Sequence, residues 1–199
     1  MLIELSSLNS FWLTCNKSKS RWEDMETMLE RLNIKTTKLN GEITNPYTVG
    51  VAMNHRDALI RSESSSVIVF EDDARTTPDY TGVVQVPDDA DAFYLGTSFY
   101  GRLQNQTIPH TAICALHDKS TVKLINMLSI HAVIYITDRY KKFVINLLDE
   151  FIKEPYGGMD DILATKLHYF NVYAPRVPLF YQVDGHSEIA TGTPLVPLF

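Results

Sequence analysis

The sequence predicts a three-layer α/β domain, with helices on both faces of one sheet, and three observations predict it. The first half of the chain reads strand–helix–strand–helix–strand, the order that builds a parallel sheet. The second half adds strand patterns that are not each preceded by a helix, so the sheet gains strands of the other direction and is mixed, mostly parallel. A length of 199 residues, 45% of them hydrophobic, is enough for one domain with a sizeable core. The chain therefore reads as one domain over 1–199, with half of the site built from about 10–98 and the rest from about 99–190.

Each element has its own signal. Ser10–Cys15 is an apolar run of strand length. In SRWEDMETMLERLN, Ser20 and Glu23 have capping-box spacing, and Trp22, Met25, Leu29 and Leu32 recur at helical spacing. Ile34–Leu39 predicts a second strand, closed by a turn at Asn40-Gly41. A second helix is expected from about Val49 to Ser62, then a buried strand at Ser66–Phe70, a break at Thr76-Thr77-Pro78, and a strand at Ala92–Gly96. Thr111–Leu116, Thr121–Ile125 and His131–Thr137 read as strands. Asp138 is expected to cap a helix whose apolar face is Tyr140, Phe143, Val144, Leu147, Leu148 and Phe151. A short helix from Asp160, strands at Asn171–Ala174 and Leu179–Gln182, and a proline-bearing tail complete the chain.

Composition excludes some functions. With 18 basic and 24 acidic residues, a net charge of −6, the chain has no footprint for sequence-independent binding to a polyanion. No apolar run is long enough to span a bilayer, and MLIELSSLNSFWL lacks the basic start of a signal peptide. A cytoplasmic location is the expectation. Cys15 and Cys114, each in an apolar stretch, are expected to be buried free thiols.

The stretch SVIVFEDDAR carries the chemistry. A core strand ends in Glu71, Asp72 and Asp73, and ligands of open α/β sheets bind beyond the carboxyl ends of strands. Adjacent carboxylates repel, and burial raises that cost. A hard divalent cation with oxygen ligands, Mg²⁺ or Mn²⁺, relieves both and commonly brings substrate phosphates with it. The competing reading is a solvated acidic turn.

The surroundings of the triplet resemble glycosyltransferase family 25, the lipopolysaccharide-type sugar transferases. FWLTCNKSKSRWEDMETMLERLNIKTTKLNG is similar to the family's opening strand, arginine and closing glycine. GVAMNHRDALIRSESSSVIVFEDDA resembles its helix and acidic strand, with Asn54 where the family usually has serine. DAFYLG, HAVIYITDRYKKFVINLL and MDDILATKLHYFNVYAPRVPLFYQ resemble the segments that follow, so the likeness covers roughly 10–190. It implies a GT-A-like, Rossmann-like fold, a nucleotide-diphosphate sugar donor such as a UDP-sugar, a divalent metal and inversion at the anomeric carbon. On that basis Asp73 is the candidate metal ligand, with His186 as a second, and Glu71 or Asp72 faces the nucleotide. Leu13, Thr14, Asn16, Arg21, Asn54 and His55 are the expected donor contacts. One of Asp160 and Asp161 is expected to act as general base while the other caps the helix, and the residues alone do not separate them. The implied acceptor is a glycan, a protein side chain or a modified nucleic-acid base. The alternatives are a nucleotidyltransferase or nucleotide-sugar hydrolase on a similar fold, or a non-catalytic relative. A nucleotidyltransferase usually wants a basic, glycine-rich phosphate loop, and TCNKSKSR has no glycine.

Overall fold

The computed structural model of the chain describes residues 1–62, 65–102 and 110–183, with the backbone alone at 17 and 18. A short strand β1 (Leu2–Glu4) precedes β2 (Asn9–Cys15), whose pleat sends Phe11 and Leu13 to one face of the main sheet and Trp12 to the other. A 3₁₀ turn, Asn16–Arg21, runs directly into α1 (Trp22–Arg31). The expected Ser20–Glu23 capping box is not formed. The turn already supplies helical backbone, so the cap position falls on Arg21 and no side chain bonds there.

Asn33, at φ 54°, reverses the chain ahead of β3 (Thr37–Gly41). The turn therefore precedes the strand, and Asn40 and Gly41 pair with Thr14 and Cys15 inside it. Gly41 serves close approach, since a Cβ there would lie 2.9 Å from the Asn54 side-chain nitrogen. After α2 (Tyr47–Arg61) come β4 (Val67–Glu71), β5 (Ala74–Thr76), β6 (Val83–Gln85), β7 (Ala92–Tyr94) and β8 (Tyr100–Gly101). Then follow β9 (His110–Thr111), β10 (Ile113–Leu116), β11 (Thr121–Asn126) and β12 (Ala132–Tyr135). The chain continues through α3 (Asp138–Lys153), α4 (Met159–Ala164), β13 (Val172–Pro175) and β14 (Phe180–Gln182). The cap of α3 is Thr137 rather than Asp138, its Oγ1 accepting the Tyr140 N–H.

Eight strands form the main sheet in the order β10-β11-β13-β7-β12-β4-β2-β3. β2 runs parallel to β3 and β4, and β13 is parallel to β7, while the other four pairings are antiparallel. Only β11 and β12 oppose the other six. The sheet is thus mixed by pairing although most of its strands share one direction. Both halves of the chain contribute four strands to it, so they share one scaffold. Two core clusters lie on its faces. Val67, Val69, Val133 and Tyr135 pack with Ala58 and Leu59 of α2, Tyr140, Val144 and Leu148 of α3, and Ile162 of α4. Ile68, Phe70, Phe93 and Ile134 pack with Met25, Met28 and Leu29 of α1 and with Ile3 and Val84 of the small β1–β6 sheet. That is the three-layer arrangement expected. Both cysteines are free, but Cys114 lies half-buried on the edge strand β10 rather than in the core. No helix among the described residues is long and apolar enough to cross a membrane.

Candidate functional site

The acidic triplet sits where β4 ends, beside the ends of β2 and β3, which run the same way. The pleat of β4 divides it. Glu71 continues the side of Val67 and Val69, toward α2 and α4, and Asp72 continues the side of Ile68 and Phe70, toward α1. The contacts agree. Asp72 is buried and accepts from Thr14 Oγ1 at 2.8 Å and Arg21 Nη1 at 2.9 Å. Thr14 Oγ1 in turn accepts from Trp22 Nε1 at 2.7 Å. Asp73 Oδ2 is 3.9 Å from Arg21 and accepts from Gln182 Nε2 at 3.3 Å, and its Oδ1 is buried with no hydrogen-bond partner.

The start of α4 lies close to Glu71. Asp161 is fully engaged: Oδ1 accepts from Arg102 Nε at 2.6 Å, and Oδ2 accepts the Gly158 N–H at 2.8 Å. Asp160 Oδ1 takes the Asp161 N–H at 3.1 Å. The two adjacent aspartates are therefore distinguishable: Asp161 caps α4 through the Gly158 N–H, and Asp160 does not.

The carboxylates sense one another. Burial comes first among the causes that push Glu71 well above the usual carboxylate range, followed by Asp73, Asp160 and Asp72, with Arg21 opposing. Burial and then Asp72 raise Asp73, while Arg21 and Gln182 hold it down. Asp160 is pushed up to about 6, by burial first and then by Asp161, with the backbone N–H groups of Asp161 and Asp160 and then Arg102 pulling the other way. Tyr47, at the start of α2, lies in the same field: burial, Cys15 and then Asp72 and Glu71 all raise its phenol.

Other expected contacts fall elsewhere. Leu13 is buried in the core between its partners Leu39 and Glu71 and presents no face to the cleft. His55 is also a core residue, fully buried, with Nε2 2.8 Å from the Tyr135 hydroxyl; burial pushes its imidazole down to about 3, so it is neutral. Asn54 donates to the carbonyls of Leu39 and Thr14, tying the ends of β3 and β2 together. Asn16 is exposed and accepts from Asn40. His186 lies outside the described residues. The chain leaves them at Val183, whose N–H donates to the Asp73 carbonyl. Sequence reasoning missed Trp22, Tyr47, Arg102 and Gln182 as neighbours of the acids. Only Trp22, next to Arg21, carried a local signal.

Among the described residues no three His, Cys, Asp or Glu side chains converge as a ready-made metal cage. Mg²⁺ and Mn²⁺ do not require one, since one or two carboxylates plus substrate phosphates commonly suffice. The buried, unpartnered Asp73 Oδ1 beside a partly buried acid is the kind of oxygen such an ion takes, so the residues present fit the group.

No family model matches the chain, and no curated protein matches it. Solved structures that superpose on it include A197 from STIV, at 12% identity over 88% of this chain and 86% of that one, with a TM-score of 0.44. The inositol-1-phosphate CTP transferase from T. maritima aligns at 14% identity over 92% and 73%, with a TM-score of 0.47. The nucleoside-diphosphate-sugar pyrophosphorylase from Vibrio cholerae RC9 aligns at 12% identity over 85% and 73%, with a TM-score of 0.43. The latter two are named for activities closer to the nucleotidyltransferase alternative than to glycosyl transfer, but a likeness this low carries no weight for function.

Proposed function

We propose that the chain is a glycosyltransferase with a GT-A-like fold, moving a hexose from a nucleotide-diphosphate sugar, a UDP-sugar, to an acceptor hydroxyl with inversion. The observation that supports this most is that the β4-end triplet and Asp160, raised to about 6, come from different elements and stand close enough to act on one another. A displacement at the anomeric carbon needs a base on the face opposite the departing diphosphate. A carboxylate near 6 is ionised at neutral pH yet basic enough to take the acceptor proton. Asp160 takes that proton, while the Asp161 N–H holds its carboxylate in place. Asp73 would hold Mg²⁺ or Mn²⁺ through Oδ1, and when bound the ion supplies positive charge for the diphosphate oxygens. Thr14, itself held by Trp22, and Arg21 fix Asp72 beside it, and Glu71 lines the donor side.

The test is a thermal-shift screen of nucleotide sugars with and without Mn²⁺, followed by nucleoside diphosphate release from the best binder. A ligand that binds the native state alone raises its stability. Asp160→Asn should cut turnover by roughly 10²-fold or more with donor binding intact. Normal turnover in that variant would remove the base.

The second reading is nucleotidyl transfer at the same cleft. It is favoured by the turn Asn16–Arg21, which places Lys17, Lys19 and Arg21 directly after the first strand of the main sheet. Pyrophosphate release from a nucleoside triphosphate and a sugar phosphate, without release of nucleoside diphosphate from any nucleotide sugar, would select it.

A further inference from the structure

Residues 100–102 approach the site from a part of the chain with no sequence signal for chemistry. Arg102 follows β8, and its backbone is clamped on both sides by one side chain: the Arg102 N–H donates to Asn126 Oδ1 at 2.7 Å, and Asn126 Nδ2 donates to the Arg102 carbonyl at 2.7 Å. Asn126, at the end of β11, is itself buried. The guanidinium thus leaves a fixed point on the sheet. It meets Asp161, and both side chains are about one-fifth exposed, so solvent screens the pair little. Asp161 then spans two contacts that set the turn into α4, Arg102 Nε on one oxygen and the Gly158 N–H on the other. The backbone N–H of that same residue fixes Asp160 Oδ1. The chain of contacts Asn126–Arg102–Asp161–Asp160 therefore runs from β11 to the Asp160 carboxylate.

We infer that Arg102 is a positioning residue for the reaction: through Asp161 it sets where the Asp160 carboxylate stands relative to the acceptor. The inference rests on the proposed glycosyl transfer with Asp160 as base, and it adds a residue outside the acidic triplet. A six-residue helix has little stability of its own. Its first turn needs an external anchor if a side chain on it is to stay within hydrogen-bond reach of a reacting hydroxyl, and small misplacements there are costly to rate. Arg102 also contributes charge. Among the described residues, the charged and titratable groups that act on Asp160 include Asp161 on its own helix, Arg102 after β8, Glu71 from β4 and Tyr94 from β7. Arg102 is the cation among them, and it favours ionised Asp160.

The experiment compares Arg102→Met, Arg102→Lys, Asp161→Asn and the double variant Arg102→Met/Asp161→Asn with wild type, using nucleoside diphosphate release over a pH series and calorimetric donor affinity. Arg102→Met should lower kcat by roughly tenfold or more while donor affinity stays within about twofold. The acid limb of its pH–rate profile should move to higher pH, because a cation that favoured the charged carboxylate is gone. Arg102→Lys should recover part of both effects. Because the two residues act through one contact, the double variant should be little worse than either single one. A lost donor affinity equal to the lost kcat, an unmoved acid limb, or fully additive effects would each overturn the inference. Should Arg102→Met fail to fold, Arg102→Lys and Asp161→Asn carry the same tests. If Asp160→Asn is inactive while Arg102→Met equals wild type, the positioning role fails and the base stands. If Asp160→Asn turns over normally, the proposed function fails first.

Discussion

Replacing Asp160 by asparagine should stop the reaction and stabilise the protein in the same stroke. The carboxyl sits at about 6 in the fold against an ordinary value of 3.8. At pH 7 the ionised form is therefore carried at a loss. Each pH unit between the two values is about 1.4 kcal/mol, giving an upper bound of ~3 kcal/mol. Asp160 is partly exposed, so screening reduces this to about 1–2 kcal/mol. Asparagine keeps an oxygen for the Asp161 N–H and removes the charge. The sign follows from a folded-state pKa raised above the unfolded one: the native state binds the proton more tightly, and wild type gains stability as pH falls through 6 toward 4. The advantage of the variant should be largest at pH 7 and above and shrink toward pH 4. Urea unfolding at pH 7 and pH 4.5 measures it. With a slope of roughly 2–3 kcal/mol per molar, the midpoint should rise by about 0.5 M at pH 7. A variant no more stable than wild type at pH 7, or one whose advantage grows on acidification, would refute the reasoning.

Asp73→Asn should fold normally, abolish turnover and remove the Mn²⁺ dependence of donor affinity, read by calorimetry with and without chelator. Gly96→Ala should destabilise by about 2–3 kcal/mol, because the added Cβ would fall 1.8 Å from Nε2 of the fully buried His131; His131→Ala in the same chain should relieve much of that cost in a thermal melt. His55→Leu should leave the Tyr135 hydroxyl buried without its partner, lowering stability by about 1–3 kcal/mol with donor affinity unchanged. A loss of donor affinity there would return His55 to the binding site.

The strands and helices with long patterns were legible in the sequence because each needs only its own residues: β2, β4, and the apolar faces of α1 and α3 follow from spacing alone. β1, β5, β6 and β8, of three residues or fewer, carry too little pattern to read and exist because a distant strand pairs with them. The acids of the site were visible as residues, but their roles were not. Asp72 is defined by Thr14, 58 positions away, and Asp161 by Arg102, 59 positions away. His55 looked like a donor contact because its neighbours in sequence did, and the Tyr135 hydroxyl that claims it lies 80 residues on. Asn54 and Gly41 each suggested a local role, a donor contact and a turn, when together they fill one close packing point between α2 and β3.

The alternation of β4 makes the site sensitive to length in a way that no single substitution is. Deleting or inserting one residue within Val67–Glu71 would slip the pairing with β2 and β12 by one place and turn every following side chain to the opposite face. The acid now beside Asp160 would trade places with the acid now gripped by Arg21, although composition and charge would hardly change. To keep both jobs, this stretch has to keep its residue count between its anchored pairs, Val67 against Asn9 and Glu71 against Leu13. A chain drifting under mutation can exchange the residues of this strand far more freely than it can lengthen it.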